Sequence, residues 1–366
     1  MTAPSAQYRV AASREGESVM LSSRPISLIP LIAAGVLLGG QNGAAGASSA
    51  GTACDTSKDA YSMTSSERSA CGIETFPLIR VDQLKDGGKS YRYEIDGAEV
   101  WMNVPPPEFN AASATEDELE TYGIPSAPSG VKASDWSARM AKSSFVLPPD
   151  YLVTVPFRGA EQHSENWAGF EALDDTFTTA SVTYTEPIPQ GCAGGSVAIW
   201  AGLGGRQGGN GELGQNGTAI GVPGLYTHEA WWAILPHSPV ALPFGGNGGY
   251  QFYASTSFAL ATNRWTFYWY NYKTGLSTSA GTTNPRHDLS SAEAILERVS
   301  INGVPTDLKN FGQIGMAGDA NLRQIGTFAH TRVQMYNNDT TLLSYTSPLF
   351  ADNKSFSETW YACTGP

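Results

Sequence analysis

Residues 250–279 read YQFYASTSFALATNRWTFYWYNYKTGLSTS, and this stretch decides the fold class. Tyr250–Ala259 and Arg264–Tyr272 are runs of aromatic and small polar residues, the composition of strands. In the second run Trp265, Phe267 and Trp269 alternate with Tyr268, Tyr270 and Tyr272, so aromatic rings stand on both faces. One face is expected to pack a core and the other to line a groove or lie on the surface. Asn271–Gly275 predicts a hairpin turn leading into Leu276–Ser279.

Outward from this hairpin the pattern persists. Further strands are expected at Ser181–Thr185, Val197–Gly202, Tyr226–Leu235, Ala292–Ser300, Gly312–Ala317, Gln324–Met335, Leu342–Tyr345 and Ser357–Cys363, with Gly and Asn turns between them. Amphipathic helical spacing is almost absent after Tyr151. The expectation for residues 151–366 is therefore all-β, an antiparallel sandwich or barrel. The Gly-rich stretch Gly202–Gly217 has no suitably placed Lys and no helix after it, and reads as a mobile loop rather than a phosphate cradle.

The chain has 366 residues, 41% hydrophobic and 15% charged, with a net charge of −12. That length allows one large domain or two modest ones. The acidic balance argues against nucleic-acid partners, which need a basic face. Few titrating groups in the β region imply little self-repulsion as pH falls. Arg9, Arg14 and Arg24 precede the apolar run Ile26–Leu38, and Ala45-Gly46-Ala47 supplies a small-x-small cleavage pattern. Residues 1–47 are thus expected to be a signal peptide, with Met20 as an alternative start. The run is too short for a permanent span, so the mature protein is expected to be secreted, monomeric and free of the membrane. Cys54, Cys71, Cys192 and Cys363 form an even set that suits export, and locality pairs Cys54 with Cys71 and Cys192 with Cys363. Residues 48–150 differ in character. They hold PPPEF at 105–109, a short helix near Glu116–Tyr122 capped by Ser113 or Thr115, and the prolines Pro125, Pro128, Pro148 and Pro149. This region reads as a prosegment or irregular N-terminal arm with a Pro-rich linker.

The common nucleophilic and metal signatures are missing: there is no G-x-S-x-G, H-E-x-x-H or D-T-G, and His163, His228, His237, His287 and His330 share no spacing. No metal or organic cofactor is expected. What stands out is an ordered series: Asn166-Trp167-Ala168-Gly169, Ser181-Val182-Thr183, Ala198–Gly205 (AIWAGLGG), Leu213–Thr218 (LGQNGT), Tyr226–Pro236 (YTHEAWWAILP), Ala292–Ile295 (AEAI), Phe311-Gly312 and Ser355-Phe356. In order and spacing this series resembles the eqolisin family of glutamic peptidases over about residues 164–360. PPPEF and ATEDELETYGIP also look like the stretch preceding the catalytic domain in bacterial members.

The resemblance implies two antiparallel sheets in a concanavalin-like sandwich, with a catalytic Gln at Gln215 and a catalytic Glu at Glu293 facing one groove. It further implies an acid endopeptidase acting on polypeptides. The residue types suit that chemistry: a carboxylate can activate water and return the proton to the leaving amine, and a neutral amide can stabilise the oxyanion. Strand periodicity places Glu293, Ile295 and Glu297 on one face, and Ala292, Ala294 and Leu296 on the other. Trp200 and Trp231 read either as substrate-binding groove residues or as core. Three positions depart from the family pattern: Gly204 stands for an Asp, Ala233 for a Glu, and Ala294 for a Trp. These departures support a competing reading, a non-catalytic secreted sandwich that binds polysaccharide or protein through an aromatic groove. A glycoside hydrolase would need carboxylates flanking a groove, and Glu293 with Glu297 would stand on one side of it. Asn216, Asn338 and Asn353 begin N-x-S/T sequons.

Overall fold

The computed structural model describes residues 54–364 other than 56–57, 156, 159–164, 207–211, 223–224, 226–227, 302 and 338–339. The signal-peptide reading of 1–47, and residues His163, Tyr226 and Asn338, fall outside the described residues.

Alternating apolar residues and tight turns build two large sheets. The nine-stranded sheet runs, edge to edge, Thr75–Pro77, Tyr151–Thr154, Val240–Gly245, Glu229–Ile234, Leu213–Ile220, Val197–Gly204, Ala292–Glu297, Trp167–Leu173 and Ala329–Val333. The thirteen-stranded sheet has at its centre Leu276–Thr283, Arg264–Asn271, Gln251–Ala259, Thr179–Thr185 and Gln313–Ala320. Among the described residues the named strands pair antiparallel except where Ser144–Phe145 joins Leu276–Thr283, and an isolated parallel bridge links Ser196 and Leu308. The two sheets stack as a sandwich, and side chains from both inner faces form one core that includes Ile199, Ala201, Leu203, Trp232, Ala292, Ala294 and Leu296 opposite Val182, Ala254, Trp265, Phe267 and Trp269. Polar bonds cross the same interface. Trp269 Nε1 donates to Gly217 O at 2.9 Å, and Asn216 Nδ2 donates to Tyr268 O at 3.0 Å.

The aromatic hairpin forms as expected, with Asn271 Oδ1 accepting from the Lys273 and Thr274 N–H groups at 2.9 and 3.2 Å. Its double-sided aromatic strand has a partner on each side. Trp265, Phe267 and Trp269 enter the main core, whereas Tyr268 and Tyr270 pack with Tyr253 against Tyr122, Trp136 and Met140 from the N-terminal region. That region also supplies Glu116–Thr121, whose N-terminus is closed by a Thr115–Glu118 capping box. Lys89–Ile95 and Ala98–Val104 form a hairpin turned by Asp96-Gly97, both at positive φ, and the second strand extends the larger sheet beside Leu276–Thr283. Thr75–Pro77 pairs with Tyr151–Thr154 on the smaller sheet. Residues 54–150 are therefore woven into both sheets, in contrast to an irregular arm on a linker. Both expected disulfides are present, Cys54–Cys71 and Cys192–Cys363.

Three expectations are corrected. Both ends of the Gly202–Gly217 stretch are strand, in Val197–Gly204 and Leu213–Ile220. Glycines in its second strand answer to close packing: a Cβ on Gly214 would lie 2.1 Å from the Trp265 ring, and one on Gly217 would lie 1.9 Å from Ile199 O. Gln324–Met335 is not one strand; a 3₁₀ turn at Ile325–Thr327 breaks it, and Ala329–Val333 and Met335–Asn337 then join different sheets. Asn216 is fully buried between the sheets, so its sequon cannot carry a glycan in the folded protein.

Buried carboxyl groups make the fold pH-dependent. Burial pushes Glu358 up to about 8 against the hydroxyls of Thr346 and Ser344, and pushes Asp319 up to about 6 against the Ser129 hydroxyl and Lys354. A raised carboxyl binds its proton more tightly in the folded state, so its contribution is complete below the unfolded value near 4 and fades as pH rises through the folded one. Glu67, lowered to about 2 by Lys58 and Thr64, acts in the opposite sense but is solvent-exposed and screened. Thermal melts should accordingly show falling stability from about pH 4.5 to 8, with Glu358→Gln flattening the slope. Trp136→Ala should cost about 3–5 kcal/mol in urea unfolding, because its ring is buried against Tyr253 and Tyr270; a loss below 1 kcal/mol would mean the N-terminal region is not part of the cooperative fold.

Candidate active site

Three adjacent strands of the smaller sheet place the expected dyad. Gly202, on Val197–Gly204, pairs with Gln215 on one side and with Glu293 on the other. Residues paired across antiparallel strands project from the same face, so Gln215 and Glu293 flank the bare backbone of Gly202. The row continues to Ala233 beyond Gln215 and to Glu171, then Thr331, beyond Glu293. Gln215 and Glu293, 78 positions apart in sequence, are linked by two strand pairings. Periodicity holds as expected: Ile295 lies on the Glu293 face, and Ala292, Ala294 and Leu296 lie in the inter-sheet core.

The face is closed. Gln215 is 0% and Glu293 1% exposed. A Cβ added to Gly202 would lie 2.7 Å from the Trp200 ring, 2.9 Å from Leu213 Cδ1 and 3.2 Å from Glu293 Oε2. The indole edge, a leucine methyl and the carboxylate thus lie close over the glycine, where a side chain would displace them. Trp200 is held from its other end, with Nε1 donating to Glu297 Oε2 at 2.7 Å, and its ring meets Trp167 edge-on at 5.0 Å. Trp200 and Trp231 stand on the dyad's face, and both are completely buried there. Ala60, Met63, Cys71 and Ile73 of the N-terminal region join the same apolar cluster.

Within this buried setting Gln215 Oε1 and Nε2 make no hydrogen bond among the described residues, and Glu293 Oε1 and Oε2 have only the Ser291 hydroxyl nearby. Unpaired buried polar atoms are costly, and four of them on the two residues that pair with Gly202 single out this part of the row as a candidate site. Burial drives the Glu293 carboxyl well above the usual carboxylate range; the Glu171 and Asp288 charges push the same way, and the Ser291 hydroxyl opposes them. Glu171 is itself raised by burial and drawn back by Arg206.

The three departures from the family pattern have different surroundings. Gly204 has φ +84°, and a Cβ there would lie 2.4 Å from Asp288 O and 2.5 Å from Glu212 O. The backbone of this chain admits only glycine at that point. Ala233 does share the dyad's row, beside Gln215. Ala294 does not. It faces the other sheet, where a Cβ on Gly318 would come within 2.8 Å of the Ala294 methyl. The described histidines lie elsewhere: His228 is buried against Glu186 Oε2 at 2.6 Å, and His237, His287 and His330 interact with Asp96, Pro285 O and Phe328 O. No group of metal-ligating side chains is found among the described residues. Gly202, Glu171 and Asp288 are the neighbours that sequence reasoning missed. Glu171 had a signal within reach, two residues beyond the Asn166–Gly169 motif and on the same face as Gly169, but its opposition to Glu293 depends on strand register.

The model of the Peptidase A4 family matches residues 165–355, a segment that contains Gln215, Gly202, Glu293 and Glu171. Comparison with curated proteins gives no match. Similar solved structures include scytalido-glutamic peptidase with a transition state analog inhibitor, 18% identical, with 54% of this chain and 98% of that chain covered and a TM-score of 0.46. SCP-B, a member of the eqolisin family of peptidases in complex with the tripeptide Ala-Ile-His, is 15% identical over 54% of this chain and 98% of that one, with a TM-score of 0.43. Because the family model covers more than half of the sequence, the chain belongs to the Peptidase A4 family, the eqolisin glutamic peptidases.

Proposed function

We propose that this glutamic peptidase is a secreted acid endopeptidase in which Glu293 is the general base and Gln215 the oxyanion donor. The observation that carries the reading is the pair of buried, unpartnered side chains on either side of Gly202. A water and a scissile carbonyl placed over that glycine would meet a carboxylate on one side and an amide on the other. Glu293 takes the proton as water attacks and returns it to the departing amine. Gln215 Nε2 donates to the oxyanion and remains neutral at every pH. Trp200 and Leu213 must shift for a peptide to enter, and admitting water removes part of the burial that holds the proton on Glu293. The two disulfides suit an oxidising compartment and support export after removal of residues 1–47. Residues 54–150 are proposed to stay with the mature enzyme, since their strands and helices cover both sheets. The competing binding-module reading needs exposed groove aromatics, and Trp200 and Trp231 offer none.

Hydrolysis of an unfolded protein from pH 2 to 6, with pepstatin present to exclude aspartic peptidases, tests the dyad. Glu293→Gln should abolish turnover and Gln215→Ala should lower it about 100- to 1000-fold, with melting curves showing both variants folded. A folded wild-type chain without activity across this range would overturn the peptidase mechanism. At pH 7 the Glu293→Gln protein should melt higher than wild type, because a neutral amide replaces a carboxyl whose ionisation the fold opposes; at pH 4 the difference should shrink.

A further inference from the structure

The row that carries Gln215 and Glu293 extends one strand further, to a second carboxyl group. Glu171, on Trp167–Leu173, is the direct cross-strand partner of Glu293. Such partners project from one face with Cβ atoms about 4.5–5.5 Å apart. Like charges placed directly opposite destabilise a sheet, and a low local dielectric raises that cost. Glu293 is buried and Glu171 is only partly exposed, so solvent does little to separate them.

The surroundings decide which member holds a proton. Row neighbours on the outer sides are neutral, Thr331 beyond Glu171 and Gln215 then Ala233 on the far side of Gly202. Facing Glu293 are Glu171, Asp288 on the approach to its own strand, and Ser291. Glu297 lies four residues along on the same face and is engaged by Trp200 Nε1. The side chains that the N-terminal region adds to this face, Ala60, Met63, Cys71 and Ile73, carry no charge. Arg206, just past Val197–Gly204, acts on Glu171. Burial raises both carboxyls; Arg206 offsets part of this at Glu171, whereas Glu171 and Asp288 add to it at Glu293. Two carboxyl groups so close titrate as a pair.

We infer that Glu171 is a positioning residue for the catalytic carboxyl, its charge keeping the working proton on Glu293 from directly across the strand pair. The inference rests on the reading of Glu293 as the base. A carboxylate with a higher proton affinity is the better base toward water. The same repulsion delays ionisation, so it sets how far into acid the enzyme works.

The test is kcat/KM from pH 2 to 7 on an unfolded protein substrate for wild type, Glu171→Gln and Glu171→Asp, with Glu293→Gln as reference. Glu171→Gln should move the acid limb down by about one to two pH units, the size of one nearby charge at an effective dielectric near 20. Glu171→Asp, which retains the charge, should keep the limb near its wild-type position; a purely structural role would lower the rate at every pH and leave the limb in place. If Glu171→Gln does not fold, Glu171→Thr provides a neutral, strand-compatible replacement with the same expected shift. An unchanged limb in a folded neutral variant, beside an inactive Glu293→Gln, would overturn the role of Glu171 while sparing the dyad. Activity retained in Glu293→Gln would overturn the dyad reading and this inference with it.

Discussion

The register of three strands around Gly202 is the constraint on which the site depends. Gln215 and Glu293 meet only because each pairs with the same glycine from opposite sides. Strand periodicity is two, so a slip of one residue in either pairing would send one of them into the inter-sheet core. The register is held from the other face. Asn216, next to Gln215, donates to Tyr268 O and accepts from Thr256 Oγ1 at 2.8 Å, and Trp269 Nε1 reaches Gly217 O. Ala294, next to Glu293, fits against Gly318. The residues flanking the dyad in sequence are thus its anchors, and they point away from it.

Burial gives this part of the row its electrostatic character. An amide or a carboxylate interacts more strongly with a reacting centre when water is excluded, and the same exclusion raises the cost of a charge on Glu293. Glu171 and Asp288 add to that cost. Buried carboxyls elsewhere, Glu358 and Asp319, shift in the same direction. Carboxyls on the candidate row and in the scaffold are thus raised by the same physical cause: a fold that encloses carboxyl groups binds their protons more tightly than its unfolded chain does.

The N-terminal region completes the sandwich. Tyr253, Tyr268 and Tyr270 would otherwise form an exposed aromatic patch on the outer face of the larger sheet, and Trp136, Met140 and Tyr122 cover it. On the smaller sheet, Ala60, Met63 and Ile73 join the cluster that contains Trp200 and Trp231. The Cys54–Cys71 bridge closes the loop that makes this second contact, and Cys192–Cys363 ties down the chain's far end.

Much of this was legible locally. The alternating rings of 264–272, the Asn271–Gly275 turn, the Thr115 cap and the cysteine pairing are short-range signals, and the ordered motifs marked Gln215 and Glu293 before any geometry was available. The hairpin at Asp96-Gly97 carried an equally local turn signal. Glycine was the hardest residue to interpret, because the same composition serves a mobile loop and a strand crossed by Trp265; only the position of that indole makes Gly214 a packing residue. Likewise, nothing within Trp167–Leu173 reveals that Glu171 opposes Glu293, more than a hundred residues away. By itself the sequence determined the all-β class, most of the strands after Tyr151 and the alternation of their faces, and it marked two side chains of suitable chemistry. The tertiary structure alone decided which strands are neighbours and in what register, because cross-strand pairing joins residues through backbone hydrogen bonds whose partners are chosen by packing against the opposite sheet.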